Sequence, residues 1–201
     1  MKKILKIVSS VNGTASKSTK LADSIIEQLQ ATFPGSTVTT KDLAKEEYAH
    51  FNTAHLKAFR GVGDASEAAS ENADRQSDEA IKAVEAADVI VIGVPIYNFH
   101  IPSTLKSWLD HVVRNGRTFS YATGKPEGLL KDKKVYIAMT SGGVYSEGPA
   151  KQMDFAPSYL RSLLGFLGLT DVQIVRAEGC DVPGLSETAL EKGLQTLVIN
   201  N

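Results

Sequence analysis

The strongest strand signal in the chain is an almost unbroken apolar run, Val89-Ile90-Val91-Ile92-Gly93-Val94. A run that is apolar at successive positions suits a strand covered on both faces, as the central strands of parallel sheets are. Parallel strands need long crossover connections, so helices are expected on either side of this run. The run therefore predicts the middle of an α/β fold.

Four further apolar runs predict the rest of the sheet, at residues 4–8, 37–40, 135–139 and 172–175. The run at 37–40 is weaker, as expected of an edge strand. Helical patterns lie between the runs; for example, Leu21, Ile25 and Leu29 recur every fourth residue. This alternation predicts a doubly wound parallel sheet of five strands with helices on both faces. By analogy with other doubly wound folds, the expected strand order is 2-1-3-4-5.

Composition predicts one globular α/β domain over residues 1–201, with 42% hydrophobic and 22% charged residues. The polar, Ala-rich segment at 44–87 is interpreted as a helical insertion, because it has too few large apolar residues for a core of its own. A formal net charge of -1 argues against nucleic acid or a membrane surface as partner. No run is long enough to span a bilayer. The single cysteine, Cys180, excludes an internal disulfide, and the expected location is cytoplasmic.

Ligands of open parallel sheets bind at the carboxyl ends of the strands, where the strand order reverses. The loop after the first strand, residues 9–19, is rich in hydroxyls and opens a helix, whose free N–H groups and dipole favour a phosphate. A nucleoside triphosphatase loop would need Gly where Ser16 stands, and a dinucleotide fingerprint would need more glycines than Gly13. A capping loop without any ligand explains this loop equally well.

Two other loops at the same edge have unusual compositions. Pro95 to Pro102 carries Tyr97 and Phe99, which can border a flat ligand, and Asn98, which can bond to a ring edge. The loop after the fourth strand has Gly142 and Gly143, which allow a ligand close to the backbone. Each loop alone is also consistent with a plain turn. Together they predict a ligand with one phosphate and a planar heterocycle, as in FMN.

Other catalytic chemistries have little support. The four histidines, His50, His55, His100 and His111, are expected on helix surfaces or in loops, although His100 is nearest the proposed site. No spacing of His, Cys and carboxylates indicates a metal site. No Gly-x-Ser-x-Gly elbow of an esterase is present.

Several stretches resemble the FMN-dependent NADH-azoreductases, also described as NADH:quinone oxidoreductases, which have a flavodoxin-like fold. The resemblance extends along nearly the whole chain. The stretches that carry it are Ser16-Lys17-Ser18, Pro95-Ile96-Tyr97-Asn98-Phe99, Phe119-Ser120-Tyr121, Pro126-Glu127-Gly128-Leu129, Thr140-Ser141-Gly142-Gly143, Glu147-Gly148-Pro149 and Leu164-Gly165-Phe166-Leu167-Gly168.

The resemblance implies three groups of contacts with FMN. The phosphate is held by Ser10, Ser16, Lys17 and Ser18; the isoalloxazine is flanked by Pro95, Ile96, Tyr97, Asn98 and Phe99; its pyrimidine side is lined by Thr140, Ser141, Gly142 and Gly143. Lys17 is expected to contribute its backbone, with its ammonium in solvent, and Ser141 stands where some similar enzymes have Arg. The resemblance also implies a homodimer in which the partner subunit completes each active site. Phe119, Tyr121 and Phe166 are the candidates for the substrate pocket.

The implied activity is hydride transfer from NADH or NADPH through FMN to quinones and aromatic azo compounds, in a ping-pong cycle. No residue decides between the two nicotinamide donors or identifies a proton donor. A non-catalytic FMN electron carrier is the main alternative, and a flavin-free phosphate-binding module is a third. The near-neutral charge and the long helical segment favour the enzyme, because flavodoxin-type carriers are usually strongly acidic.

Overall fold

A five-stranded parallel sheet forms the centre of the molecule. The computed structural model of the chain describes residues 1–200. The strand order is β2-β1-β3-β6-β7, which confirms the predicted order 2-1-3-4-5 of the long strands. All seven residues of β3 are buried, as its apolar run predicts. The strands of this sheet are β1 (Lys3–Val8), β2 (Thr37–Asp42), β3 (Val89–Pro95), β6 (Lys134–Thr140) and β7 (Asp171–Ala177).

Helices cover the sheet on both faces. Val89 and Val91 of β3 belong to a core with α1 and α6, whereas Ile90, Ile92 and Val94 belong to a second core with α3, α4 and α5. This alternation follows from the period-two geometry of a strand. The helices are α1 (Lys17–Thr32), α2 (Thr53–Arg60), α3 (Glu67–Ala86), α4 (Ser103–Val112), α5 (Phe155–Phe166) and α6 (Ala189–Leu194). Within residues 1–200, no helix has both the length and the apolar character needed to cross a bilayer.

The segment at 44–87 contains α2 and α3. The buried face of α3 includes the small residues Ala73, Ser77 and Ala80, which allow close packing. Two buried histidines join α2 to α4, because the Nε2 atoms of His55 and His111 lie 3.2 Å apart. The expectation of a helix surface or a loop is wrong for both histidines, because each ring packs against the other in the buried space between the two helices.

A short antiparallel hairpin lies outside the main sheet and was not predicted from the sequence. Its strands are β4 (Phe119–Ser120) and β5 (Glu127–Gly128). Gly128 meets the chain directly after α5 so closely that a Cβ atom on it would lie 2.1 Å from the backbone nitrogen of Gly168. This contact fixes the hairpin against the end of α5, and with it the position of Phe119 relative to Phe166.

Replacing Gly128 with Ala should lower the free energy of unfolding by about 3 kcal/mol, because backbone atoms would have to move apart. Gly165 is the matched control. It lies inside α5 with open space where a Cβ would stand, so Gly165→Ala should raise the free energy of unfolding by about 0.5–1 kcal/mol. Urea unfolding of both variants measures the difference. Equal stabilities would contradict the contact between the hairpin and α5.

The buried pair of His55 and His111 predicts that the fold becomes less stable as the pH falls. Burial lowers the pKa of both His55 and His111 below 6.5, and the nearby Asp110 carboxylate opposes the shift. The unfolded chain therefore binds more protons than the folded one as the pH falls below about 6.5, and stability is lost in that direction. Urea midpoints at pH 7.5 and pH 5.5 measure this loss. The double variant His55→Gln/His111→Gln should lose less stability over this interval than the wild type; an equal loss would refute the assignment.

Candidate functional site

The three predicted loops meet in one cavity of about 140 Å³ at the carboxyl edge of the sheet. Ten of the predicted cofactor residues line this cavity: Ser10, Ser16, Lys17, Ser18, Pro95, Ile96, Tyr97, Thr140, Ser141 and Gly142. Asn98, Phe99 and Gly143 do not line this cavity, although Asn98 and Gly143 are adjacent in sequence to residues that do. The convergence follows from the parallel register, in which Pro95 of β3 pairs with Thr140 of β6.

The start of α1 supplies hydrogen-bond donors to the cavity. Ser16 caps the helix, and its Oγ accepts a hydrogen bond of 3.1 Å from the Thr19 backbone N–H. Among residues 1–200, no acceptor lies within hydrogen-bonding distance of the backbone N–H groups of Lys17 and Ser18. The hydroxyls of Ser16 and Ser18 lie 3.2 Å apart beside them. Free N–H groups, hydroxyls and the positive end of the helix dipole together form a site for an anion.

Gly93 brings α1 close to the sheet. A Cβ atom on Gly93 would lie 3.3 Å from the Ser18 carbonyl oxygen, so only a residue without a side chain leaves this spacing unchanged. The Ser9 hydroxyl donates a hydrogen bond of 3.0 Å to the Gly93 carbonyl oxygen. The first turn of α1 therefore lies directly on the central strand.

The ammonium group of Lys17 is not free in solvent, contrary to the expectation from sequence. It donates to the Cys180 carbonyl oxygen and pairs with Asp181, with 3.1 Å between Nζ and Oδ1. Asp181 in turn lies against Gly142, where a Cβ atom would be 2.5 Å from Oδ2. The expectation was wrong because Asp181, after β7, places a carboxylate opposite Lys17.

The aromatic loop after β3 contains a tight two-residue turn. Tyr97 and His100 exchange two backbone hydrogen bonds of 3.0 Å, and the residues between them, Asn98 and Phe99, have φ angles of 48° and 66°. Positive φ angles are costly for residues other than glycine, especially bulky ones, and such strain is concentrated at functional sites. The turn leaves Phe99 43% exposed, with its ring against that of Tyr145. The Tyr97 hydroxyl lies 3.3 Å from Ser10 Oγ, which connects this loop to the loop after β1.

The predicted substrate residues form a separate aromatic cluster. Phe119 contacts Phe166 and Tyr121, with ring centroids 4.6 Å and 5.7 Å away. Phe119 and Tyr121 line a second cavity of about 450 Å³, together with Phe51 and Phe59 of the segment before β3. The structure thus brings the three predicted residues together, and the cavity beside them differs from the one at the start of α1.

A fourth loop at the same edge was missed from the sequence. Residues 178–181 follow β7, and Cys180 and Asp181 line the cavity at the start of α1. A search that included the end of the last strand would have found the charged residues Glu178 and Asp181. Cys180 is a buried free thiol, and burial raises its pKa above the usual value.

The remaining chemistry of the site is simple. Within the described part of the chain, no cluster of three or more His, Cys, Asp or Glu side chains could hold a metal ion. His100 lies in the aromatic turn, with its ring 5.0 Å from that of Tyr159. The cavity itself combines an anion site, a tyrosine and close backbone approaches, so it suits binding of a phosphorylated, planar molecule.

Comparisons with known proteins agree with this geometry. A family model described as flavodoxin-like fold matches residues 2–198. An FMN-dependent NADH:quinone oxidoreductase of Ralstonia nicotianae is 45% identical over 176 residues, which cover 87% of this chain and 85% of the relative. The enzyme of the same name from Rhizobium meliloti is 42% identical over 203 residues, covering 99% and 97%.

Solved structures give the same result. An azoreductase from Bacillus anthracis strain Sterne superposes with a TM-score of 0.86 at 32% identity, covering 97% of this chain and 96% of that one. An FMN-dependent NADH-azoreductase from Bacillus anthracis strain Ames Ancestor, solved in complex with FMN, has a TM-score of 0.82 at 26% identity, covering 96% and 95%.

Fold and site together define a flavodoxin-like protein with an anion site at the start of its first helix. Identities above 40% over almost the full length are more specific than the fold alone. The chain belongs to the family of FMN-dependent NADH:quinone oxidoreductases.

Proposed function

We propose that this protein is an enzyme that binds FMN and transfers two electrons from NADH to quinones and, by reductive cleavage, to aromatic azo compounds. The observation that carries the proposal is the single cavity in which an anion site and a tyrosine-bearing loop meet. The names of the relatives support the same cofactor, donor and acceptors.

The residues present fit FMN. The unpaired backbone N–H groups of Lys17 and Ser18 and the hydroxyls of Ser16 and Ser18 would hold the phosphate. Each hydrogen bond to a charged group contributes about 1.5–3 kcal/mol. A dianion would thus satisfy donors that have no acceptor among the described residues.

The other loops fit the ring system. Tyr97 and Phe99 would border the isoalloxazine, and the loop at Thr140 to Gly143 would approach its pyrimidine side. Gly142 and Gly143 leave the backbone open to such an approach. The second cavity, with Phe119 and Tyr121, would take the flat acceptor.

When bound, FMN supplies two-electron transfer between the nicotinamide and the acceptor in two successive half-reactions. The residues of the two cavities would orient the cofactor and the flat acceptor. Tyr121 is the candidate for a proton near the acceptor, and at 55% exposure it can also exchange protons with water.

Three coarser features complete the proposal. One domain carries the whole function, and α2 contributes Phe59 and Arg60 to the acceptor cavity. The cysteine is a buried free thiol, which supports a reducing compartment such as the cytoplasm.

A homodimer, as the family resemblance implies, would complete the acceptor cavity. Light scattering of the FMN-loaded protein measures the mass of the assembly and so tests for this dimer.

A visible spectrum tests the function directly. The FMN-loaded and desalted protein should retain a flavin band that bleaches with anaerobic NADH and returns when a quinone is added. A flavin band that does not respond to NADH or NADPH would favour the electron carrier instead. Loss of all flavin on desalting would contradict the proposal.

The serine that caps α1 should affect FMN affinity. Ser16→Ala should raise the Kd for FMN about tenfold, because it removes a hydroxyl beside the phosphate. Ser66→Ala is the matched control, because Ser66 caps α3 in the same way. Each variant should lose about 1 kcal/mol of stability. Flavin fluorescence titration should show a raised Kd for FMN in Ser16→Ala and an unchanged Kd in Ser66→Ala. An unchanged Kd for Ser16→Ala would place the phosphate elsewhere.

The ion pair between Lys17 and Asp181 predicts that the affinity for FMN depends on the charges of these two side chains. Lys17→Gln would leave the Asp181 carboxylate unpaired beside the phosphate, so the Kd for FMN should rise about fivefold at low salt and less at high salt. Asp181→Asn in the same background should restore most of the affinity. Lys20→Gln, at an exposed lysine one turn along α1, is the control. Failure of the second substitution to rescue binding would exclude repulsion by Asp181.

A further inference from the structure

Three charged side chains form a connected network next to the loop that follows β6. Arg176, near the end of β7, donates two hydrogen bonds of 2.8 Å and 2.9 Å to the two carboxylate oxygens of Asp154. Its Nη2 also donates to Glu178 Oε1 at 2.8 Å. The three side chains are between 14% and 23% exposed, so water screens these contacts much less than it screens pairs on the surface. Arg176 therefore holds Glu178 in one place.

Glu178 connects this network to the backbone of the neighbouring loop. The same Oε1 atom accepts hydrogen bonds from the backbone N–H groups of Tyr145, at 2.8 Å, and of Ser146, at 3.0 Å. One carboxylate oxygen thus takes three donors. Hydrogen bonds to a charged acceptor are about twice as strong as neutral ones.

The position of Tyr145 matters for the cavity. Its ring contacts Phe99 edge-on, with centroids 6.0 Å apart, so it joins the loop after β6 to the turn after β3. Gly142 and Gly143 precede it, and their carbonyl oxygens accept backbone hydrogen bonds of 3.0 Å from Asp181 and Gly179. The loop after β7 thus holds the glycine loop at both carbonyls and, through the Glu178 side chain, at two N–H groups.

We propose that Glu178 is a positioning residue of the cofactor site. Its carboxylate, held by Arg176, fixes the Tyr145–Ser146 backbone and thereby the placement of the glycine loop and the contact between Tyr145 and Phe99. The inference rests on the proposed function, because FMN is the ligand whose binding reports on it.

Two substitutions of Glu178 distinguish its role as a hydrogen-bond acceptor that positions the loop from its role as a negative charge. Glu178→Gln keeps a carbonyl oxygen that can accept from both N–H groups, whereas Glu178→Ala removes the acceptor. Glu187 is the matched control, because it is an exposed acidic residue that makes no side-chain hydrogen bond or ion pair within residues 1–200. If Glu178 acts by positioning the loop, the glutamine variant should have a Kd for FMN close to that of the wild type. If it acts only through its charge, the glutamine variant should have the Kd of the alanine variant.

FMN titration and thermal unfolding of the full chain test the proposal. Glu178→Ala should raise the Kd for FMN about tenfold, or about 1.4 kcal/mol, whereas Glu178→Gln should stay within about threefold and Glu187→Ala should be unchanged. An unchanged Kd for Glu178→Ala with a lowered melting temperature would overturn the proposal in favour of a purely structural role. Equal losses in the alanine and glutamine variants would overturn it in favour of charge.

Hydrogen exchange of the wild-type protein tests the same contact without relying on a variant that folds. The Tyr145 and Ser146 amides should exchange at least about tenfold more slowly than unbonded loop amides of the same protein. Exchange at the rate of free loop amides would overturn the proposal. If the wild type bound no FMN at all, the proposed function itself would be wrong; normal FMN binding by the wild type and by Glu178→Ala would refute only the role of Glu178.

Discussion

The structure depends on the burial of β3 from both sides. Its seven residues are all buried, so it must lie in the middle of the sheet with β1 and β6 as neighbours. Three strands then end side by side, and the chain that leaves each of them enters the same cavity. Gly93 in this strand also lets the first turn of α1 approach. The central strand thus places the anion site, the aromatic turn and the glycine loop together.

The site combines donors that are left without partners and backbone that is held under strain. The backbone N–H groups of Lys17 and Ser18 have no acceptor among residues 1–200, and Asn98 and Phe99 keep positive φ angles. Both features cost free energy in the absence of a ligand. The surrounding loops sustain this arrangement through Lys17, Asp181 and the backbone bonds between the ends of β6 and β7. A cofactor that fills the cavity would offset the cost at the helix N-terminus.

The fold was largely predictable because its signal is local. Apolar runs mark the strands, and the buried run at 89–94 marks the central one. The loops of the site were predictable from composition at known strand ends. The contacts of Lys17 with Cys180, of Glu178 with Ser146 and of His55 with His111 were not, because the partners lie 32 or more positions apart in the chain. The hairpin of β4 and β5 was not predicted, because its strands have only two residues each, too few for a periodic pattern.

A crystal structure of the protein grown with FMN tests the central claim most directly. The account predicts that the phosphate oxygens lie within hydrogen-bonding distance of the backbone nitrogens of Lys17 and Ser18, with the ring beside Tyr97. A larger cavity, of about 480 Å³, lies at the opposite edge of the sheet near Lys133 and Asp171 and is the competing location. FMN bound there, with the start of α1 left free, would contradict the account.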